Sequence, residues 1–183
     1  MKAILMSIQP KWCAKIANGE KTIEVRKTRP KIELPFKCYI YMTLAKPYCY
    51  EFAGGGKMKA KNGKVIGEFV CDEIIIDTAG QFADRFYKEG KFTLDEQRKY
   101  GENKPLYGWH ISELKIYDKP KELGENGDFK FPCVRGGEDF DSHRKCVGCK
   151  YARLWTGTKE IYCDRWVTRA PQSWCYVEEL EEL

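Results

Sequence analysis

The chain has 183 residues, of which 43% are hydrophobic and 32% are charged, and its formal net charge is +5. This length suits one domain, or one domain with an insertion, and the composition is not that of a disordered protein. No stretch approaches the roughly 18 consecutive apolar residues of a membrane span, and residues 1–20 lack the uninterrupted apolar centre of a signal peptide. We therefore expect a cytoplasmic protein.

Positive charge is concentrated near the start of the chain. Residues 1–37 contain nine lysines and arginines but only three glutamates, whereas the remaining residues are nearly neutral in sum. A positive field that is confined to one segment indicates a polyanionic ligand. The alternative interpretation is a solvated face whose lysines serve solubility.

The first predicted elements are a strand over residues 3–8 and a helix over residues 10–18. Pro10 suits the first position of a helix, and Gly19 suits the position just after its end. The apolar run of residues 3–8 predicts a buried strand.

The next segment, residues 22–27, alternates apolar and polar side chains as in a strand with one buried face. The polar face of this strand carries Thr22, Glu24 and Arg26, and Lys21 lies at the corner between helix and strand. A hydroxyl, a carboxylate and two cations are therefore expected close together.

The middle of the chain predicts more strands, interrupted by short helices. Tyrosines and β-branched residues in 37–44 indicate a central strand. Later elements are a long strand over 65–77 that bends near 71–73, a helix containing Phe82 and Phe86, a helix that opens with the capping box Thr93 to Glu96, and a strand over 105–111. Because strands and helices do not alternate regularly, an α+β fold with a small barrel or curled sheet is favoured over a doubly wound sheet.

Two polar residues in these strands deserve separate interpretation. Glu68 shares its predicted face with Ile66 and Val70, so it lies either at a sheet edge that reaches water or in a pocket as a second ligand-binding carboxylate. His110 faces away from its apolar neighbours in the strand. Since the chain has only two histidines, a Cys-His-Asp hydrolase is difficult to build.

Nine cysteines are many for a chain without export signals, and such cysteines are expected to be reduced, buried or bound to metal. Cys146 and Cys149 have the C-x-x-C spacing with which two thiolates bind one ion. Together with Cys133 and Cys163 they would complete a closed tetrahedral site for structural zinc. These residues define a metal-binding insertion at about 121–166 within a single domain that spans 1–183.

Alternatives to this zinc site remain open. His143 could replace Cys133 as a ligand. An iron-sulfur cluster is less favoured, and a redox-active cysteine pair is less favoured still, because no βαβ pattern surrounds the C-x-x-C. Buried free thiols are expected for the other cysteines, which are Cys13, Cys38, Cys49, Cys71 and Cys175.

The spacing of Gly19, Lys21, Glu24 and Arg26 resembles the G-x-K-x-x-E-x-R signature of ASCH domains, a PUA-like family. The first strand with its following turn, and residues 169–177, are similar to the first and last strands of bacterial and phage members. The resemblance implies a PUA-like mixed β-barrel with short flanking helices, to which this chain adds the zinc-stapled insertion.

The resemblance implies binding of RNA or of a nucleotide in a basic cleft around Lys21, Glu24 and Arg26. Thr22, on the same strand face, and Glu68 are predicted as further ligand-binding residues from their positions in the strands. Glu24 would accept a hydrogen bond from a base amino group, or orient Arg26. An ordinary surface ion pair is the alternative interpretation of the two residues.

A second hypothesis is a small hydrolase, because some small bacterial ASCH proteins are similar to N4-acetylcytidine amidohydrolases and others to ribonucleases. The amidohydrolase pattern has a lysine at the position of Lys21 and a threonine where this chain has Glu24. In an enzyme, Lys21 and Glu24 would be the catalytic acid and base, and Arg26 would bind an oxyanion or phosphate. A third hypothesis is a protein-interaction domain that uses the zinc loop as its contact surface.

Overall fold

The computed structural model describes residues 1–45, 49–52, 58–78, 80–102, 104–124, 153–154, 161–162, 167 and 169–180. The helices are α1 (Pro10–Ala17), α2 (Ala83–Lys88) and α3 (Leu94–Gly101). The strands are β1 (Lys2–Ile8), β2 (Ile23–Arg26), β3 (Phe36–Met42), β4 (Cys49–Phe52), β5 (Met58–Lys61), β6 (Lys64–Cys71), β7 (Ile74–Asp77), β8 (Leu106–His110), β9 (Ser112–Lys121), β10 (Arg153–Leu154), β11 (Ile161–Tyr162) and β12 (Trp174–Glu178).

The largest sheet has five strands in the order β12-β1-β3-β6-β9. β1 runs parallel to β3 and antiparallel to β12, so the two ends of the described chain are neighbours in the sheet. A central strand is covered on both faces, which explains why six of the seven residues of β1 are buried.

A second sheet has three strands in the order β2-β8-β7, and β4-β5 and β10-β11 form separate pairs. The main hydrophobic core lies between the five-stranded sheet, α1 and β8. Its members include Ile4, Ile16, Ile40, Phe69 and Trp109.

Each sheet also buries its other face. Behind the five-stranded sheet, Leu5, Tyr39 and Val177 belong to a second hydrophobic cluster. Behind the three-stranded sheet, Ile23 and Phe86 belong to a third, which connects β2 to α2. A Cβ atom added to Gly108 would lie 2.6 Å from the Phe86 ring and 2.9 Å from Ile23, so this close approach of helix and sheet requires glycine.

Most local predictions agree with the structure. α1 begins at Pro10 as expected, and the capping box of α3 is present, with reciprocal hydrogen bonds between Thr93 and Glu96. Cys13, Cys38 and Cys71 are buried free thiols. Burial raises the pKa of all three, that of Cys71 to about 12.

Two predictions about the sheets are corrected. The α+β class is confirmed, but the sheets of the described residues are not closed into a barrel. The single strand expected over residues 65–77 is two strands in two sheets. Cys71 is the last residue of β6 and pairs with Phe36, whereas Ile74 of β7 pairs with Trp109, so the chain changes sheets at Asp72 and Glu73.

The predicted zinc ligands Cys133, Cys146, Cys149 and Cys163, and the alternative ligand His143, lie outside the described residues. Among the residues that are described, no group of three or more His, Cys, Asp or Glu side chains is arranged to hold a metal ion. None of the described helices is long and apolar enough to cross a membrane.

Candidate functional site

A tight turn at the end of α1 places Lys21. Gly19 has φ +73°, its N–H donates to the carbonyl of Ile16 at 2.9 Å, and the N–H of Glu20 donates to the carbonyl of Lys15 at 2.9 Å. This pair of hydrogen bonds is a Schellman motif, in which the left-handed residue is usually glycine. The turn directs the chain from α1 into β2.

Lys21 is buried, with a relative exposure of only 3%. Its Nζ donates to the carbonyl oxygens of Ile23 at 2.7 Å and Gly90 at 2.6 Å, and it lies 3.4 Å from Oε2 of Glu24. Burial lowers the pKa of Lys21, and the Glu24 carboxylate opposes this shift. Two carbonyl acceptors and the ion pair with Glu24 therefore hold the ammonium group in one position.

Arg26 connects β2 to both ends of the described chain. Its Nη2 donates to the carbonyl of Ser7 at 2.8 Å and lies 3.0 Å from Oε1 of Glu24, and its Nη1 donates to Oγ of Ser173 at 3.3 Å. Ser7 is itself tied to the C-terminal segment, because its hydroxyl donates to the carbonyl of Pro171 at 2.6 Å.

We call Lys21, Glu24 and Arg26 the charge triad. Glu24 lies between the two cations, so the triad carries one positive charge in excess. Two of its buried atoms, Oε2 of Glu24 and Nε of Arg26, make no hydrogen bond to any described residue. Because buried charges are costly to maintain, such an incompletely satisfied cluster is typical of a functional site.

The charge triad forms part of the wall of a cavity of about 730 Å³. This volume lies within the range of small-molecule and cofactor sites. The other described residues that line the cavity are Ser7, Ile8, Gln9, Lys11, Trp12, Val25, Lys27, Thr28, Thr43, Phe92, Glu96, Tyr100, Gln172 and Ser173.

Trp12 contributes an aromatic surface to this cavity and is surrounded by cations. The centre of its ring lies 4.4 Å from Nζ of Lys11, 5.1 Å from that of Lys21 and 5.7 Å from that of Lys15. These are cation–π distances. The cavity thus combines flat aromatic surfaces with positive charge.

No protein-family model matches the sequence, and no curated protein matches it. The structure, however, is similar to the crystal structures of two mutant forms of ZmASCH from Zymomonas mobilis. The first has a TM-score of 0.53 at 16% identity and covers 98% of this chain and 92% of that one. The second has a TM-score of 0.51 at 16% identity and covers 97% and 89%. The chain has the ASCH fold.

The ASCH fold confirms the resemblance that was based on Gly19, Lys21, Glu24 and Arg26. At 16% identity the similarity establishes the fold alone, so the function must be argued from the site. In this chain, the glycine of the signature makes the turn after α1, and the three charged residues meet at one cavity.

Two of the predicted ligand-binding residues lie outside the cavity. Thr22 is not among the described residues that line the cavity, and its N–H donates to the carbonyl of Glu89 at 2.9 Å. Glu68 pairs across the sheet with Tyr39, a member of the cluster on the face opposite α1. There it accepts a hydrogen bond of 2.5 Å from the Tyr117 hydroxyl, and Lys37 lies at 3.8 Å, so its charge is satisfied away from the cavity.

Sequence reasoning missed several residues of the site. Trp12 could have been identified from the sequence, because it lies on the helix that leads into the signature. Tyr100 and Ser173 could not, since α3 and the C-terminal segment reach the charge triad only through tertiary packing.

Proposed function

We propose that this protein binds a nucleotide, either free or as part of RNA, in the cavity beside Lys21, Glu24 and Arg26. The observation that carries the proposal is the charge triad, whose buried excess of positive charge forms the wall of a cavity of about 730 Å³. A ligand phosphate would compensate this excess.

The net charge of the other residues that line the cavity is also positive. Besides the triad, Lys11 and Lys27 contribute positive charge and Glu96 contributes negative charge. Cations therefore outnumber anions along the wall, which favours an anionic ligand over a neutral or cationic one.

Aromatic residues support a planar base as the second part of the ligand. Trp12, Phe92 and Tyr100 line the cavity, and unpaired bases are commonly bound by stacking on such side chains. The carboxylate of Glu24, which also lines the cavity, is an acceptor suited to a base amino group.

The proposal can be tested by fluorescence anisotropy with labelled single-stranded RNA of mixed sequence, and by competition with free nucleotides. We expect Trp12→Leu to weaken binding by about tenfold, since stacking on an aromatic residue contributes about 1–3 kcal/mol per base. Lys88→Ala is the matched control, because Lys88 lies on α2 with its side chain 73% exposed and outside the cavity wall. Thermal melts would verify that both variants fold.

Two results would contradict this proposal. One is the absence of measurable binding of RNA and of all four common nucleotides at low salt, where phosphate contacts are strongest. The other is equal loss of affinity in Trp12→Leu and Lys88→Ala, which would indicate non-specific attraction to surface charge.

A hydrolase is the second candidate, and the lowered pKa of Lys21 beside Glu24 favours it. The two carbonyl acceptors of Nζ favour a positioning role for this lysine instead. Incubation with RNA and with N4-acetylcytidine decides between the two. Turnover that is lost in both Lys21→Gln and Glu24→Gln, in folded protein, would support hydrolysis, whereas binding without turnover in the wild type would exclude it for these substrates.

A further inference from the structure

α3 forms one wall of the cavity, and lysines lie near both ends of that wall. Glu96 in its first turn and Tyr100 in its last turn both line the cavity. Lys11 lines the same cavity as Glu96, and its Nζ lies 4.4 Å from the centre of the Trp12 ring. Hydrogen bonds from Thr93 lower the pKa of Glu96, and the nearby charge of Lys11 adds to this shift.

Lys27 occupies the other end of the wall. Its Nζ lies 4.9 Å from the centre of the Tyr100 ring and 2.8 Å from Oε1 of Glu102, the residue that caps α3. Glu96 and Glu102 are six residues apart, which corresponds to about 9 Å along a helix. Positive charge is therefore available at two separate positions on the same side of the cavity.

We propose that the cavity accepts one nucleotide from within a single-stranded nucleic acid, whose flanking phosphates bind Lys11 at the first turn of α3 and Lys27 at its last turn. This inference rests on the proposed nucleotide-binding function. A free nucleotide carries phosphate on one side and needs one cationic group. Two cationic groups separated along one wall match a backbone that enters at one end and leaves at the other.

Glu102 competes with the ligand at the second position. Its side chain is 64% exposed and that of Lys27 is 43% exposed. An ion pair this exposed contributes little stability, so a phosphate can displace the carboxylate at little cost. Removing the charge of Glu102 should then strengthen binding of the strand, which is the opposite of what loss of a structural contact predicts.

The test measures affinity for single-stranded RNA of about eight nucleotides, for the same sequences in duplex form and for nucleoside 5′-monophosphates, between about 50 and 200 mM salt. Variants are Lys11→Ala, Lys27→Ala, the double variant and Glu102→Gln, with Lys88→Ala as control. Single-stranded DNA of the same sequences is also measured. Binding of either the RNA or the DNA strand supports the proposal, because both backbones carry phosphates.

We expect the single strand to bind at least about tenfold more tightly than the monophosphates. Each lysine variant should reduce the slope of log affinity against log salt by about 0.7, and the double variant by about 1.4. Glu102→Gln should raise affinity for the strand. A monophosphate, with its single phosphate, should be weakened by at most one of the two lysine variants.

Several results would overturn the inference. These are monophosphates that bind as tightly as the strand, a duplex that binds more tightly than the strand, a slope unchanged in either lysine variant, or an affinity not raised by Glu102→Gln. If one of these results is found and the monophosphates still bind, only the inference fails and the proposed function stands. Absence of binding by every ligand would contradict the proposed function itself.

Discussion

Lys21 and Arg26 are both cations beside Glu24, yet their hydrogen bonds lead to different parts of the chain. Lys21 binds two carbonyl oxygens that converge on one point, whereas Arg26 extends across the site to Ser7 and Ser173. An ammonium group suits the first geometry and the planar fork of a guanidinium suits the second. The two residues are therefore not interchangeable, although they carry the same charge.

Gly19 contributes to the site through its backbone alone. It has φ +73°, and a Cβ atom added there would meet nothing within 4 Å, so the cost of replacing it is conformational. We expect Gly19→Ala to lower the free energy of unfolding by about 1–2 kcal/mol, and Gly19→Asn to lower it by less, because asparagine tolerates the left-handed conformation. Urea unfolding followed by circular dichroism measures both.

Glu20→Ala is the control for this measurement, because Glu20 is exposed and its hydrogen bond to Lys15 uses only the backbone. We expect it to change the free energy of unfolding by less than about 0.5 kcal/mol. Equal losses in Gly19→Ala and Gly19→Asn would contradict the explanation by backbone conformation.

At the scale of elements, the link between β6 and β7 decides how the two sheets are joined. Nδ1 of His110 and Oδ1 of Asp72 lie 2.6 Å apart, and the N–H of His110 donates to the carbonyl of Glu73 at 2.9 Å. These contacts bind the link to the end of β8. They occur where the sequence predicted a bend within one long strand.

The contact between His110 and Asp72 makes the stability of the protein depend on pH. The hydrogen bond with His110 lowers the pKa of Asp72 from its usual value of 3.8. A carboxyl with a lowered pKa in the folded state stabilises the protein above pH 3.8, and this contribution is lost as the pH falls through the folded-state pKa. Because the Asp72 side chain is 46% exposed, we expect Asp72→Asn to cost less than about 1 kcal/mol near neutral pH.

Urea unfolding of wild type and Asp72→Asn at a series of pH values between neutrality and strong acid tests this prediction. The difference in unfolding free energy should shrink toward zero at the acidic end. Asp84→Asn is the control, since the Asp84 side chain is 89% exposed and its ion pair with Lys88 spans 3.9 Å. A difference in unfolding free energy that grows as the pH falls would contradict this prediction.

Sequence reasoning succeeded where the signal is local. The proline at the start of α1 and the capping box of α3 each depend on neighbouring residues, and each agrees with the structure. A strand also forms at β2, but the expectation of a single buried face was wrong, because all four of its residues are buried. The division of residues 65–77 between two sheets could not be predicted in this way. It is decided by pairing with Phe36 on one side and Trp109 on the other, which are distant in sequence.

The residues of the candidate site were likewise predicted only in part. The spacing of Lys21, Glu24 and Arg26 predicted that they would be neighbours, because all three belong to one turn and strand. The placement of Glu68 could not be predicted, because a β-bulge between Val65 and Gly67 breaks the alternation. Ile66 packs in the main core, whereas Glu68 lies on the opposite face of the sheet. Tyr100 was missed because the packing of α3 on β2 leaves no pattern in the sequence.

At the scale of the whole molecule, the site depends on contact between the two ends of the described chain. β1 pairs with β12 from Lys2 opposite Glu178 to Met6 opposite Trp174. The hydrogen bonds from Ser7 to Pro171 and from Arg26 to Ser173 continue this contact into the cavity wall. Short fragments of the chain should therefore not bind the ligand.

The predicted cysteine-rich insertion at about 121–166 is expected to bind a metal ion. We expect one zinc ion per chain, bound by Cys133, Cys146, Cys149 and Cys163, because C-x-x-C spacing with two further thiolates suits a closed tetrahedral site. The insertion has few aliphatic residues of its own, so metal binding should supply most of its folding free energy. Elemental analysis of purified protein measures the stoichiometry, and chelation should lower the melting temperature.

Replacing Cys146 and Cys149 together by serine should abolish zinc binding, whereas Cys175→Ser, in β12, should retain a full equivalent of metal. Binding that persists after Cys133→Ser and is lost after His143→Ala would instead assign His143 as the fourth ligand. Metal well below one equivalent, with stability insensitive to chelator, would contradict the site. Because the charge triad and the described cavity wall include none of these cysteines, loss of zinc should unfold the insertion before it weakens nucleotide binding.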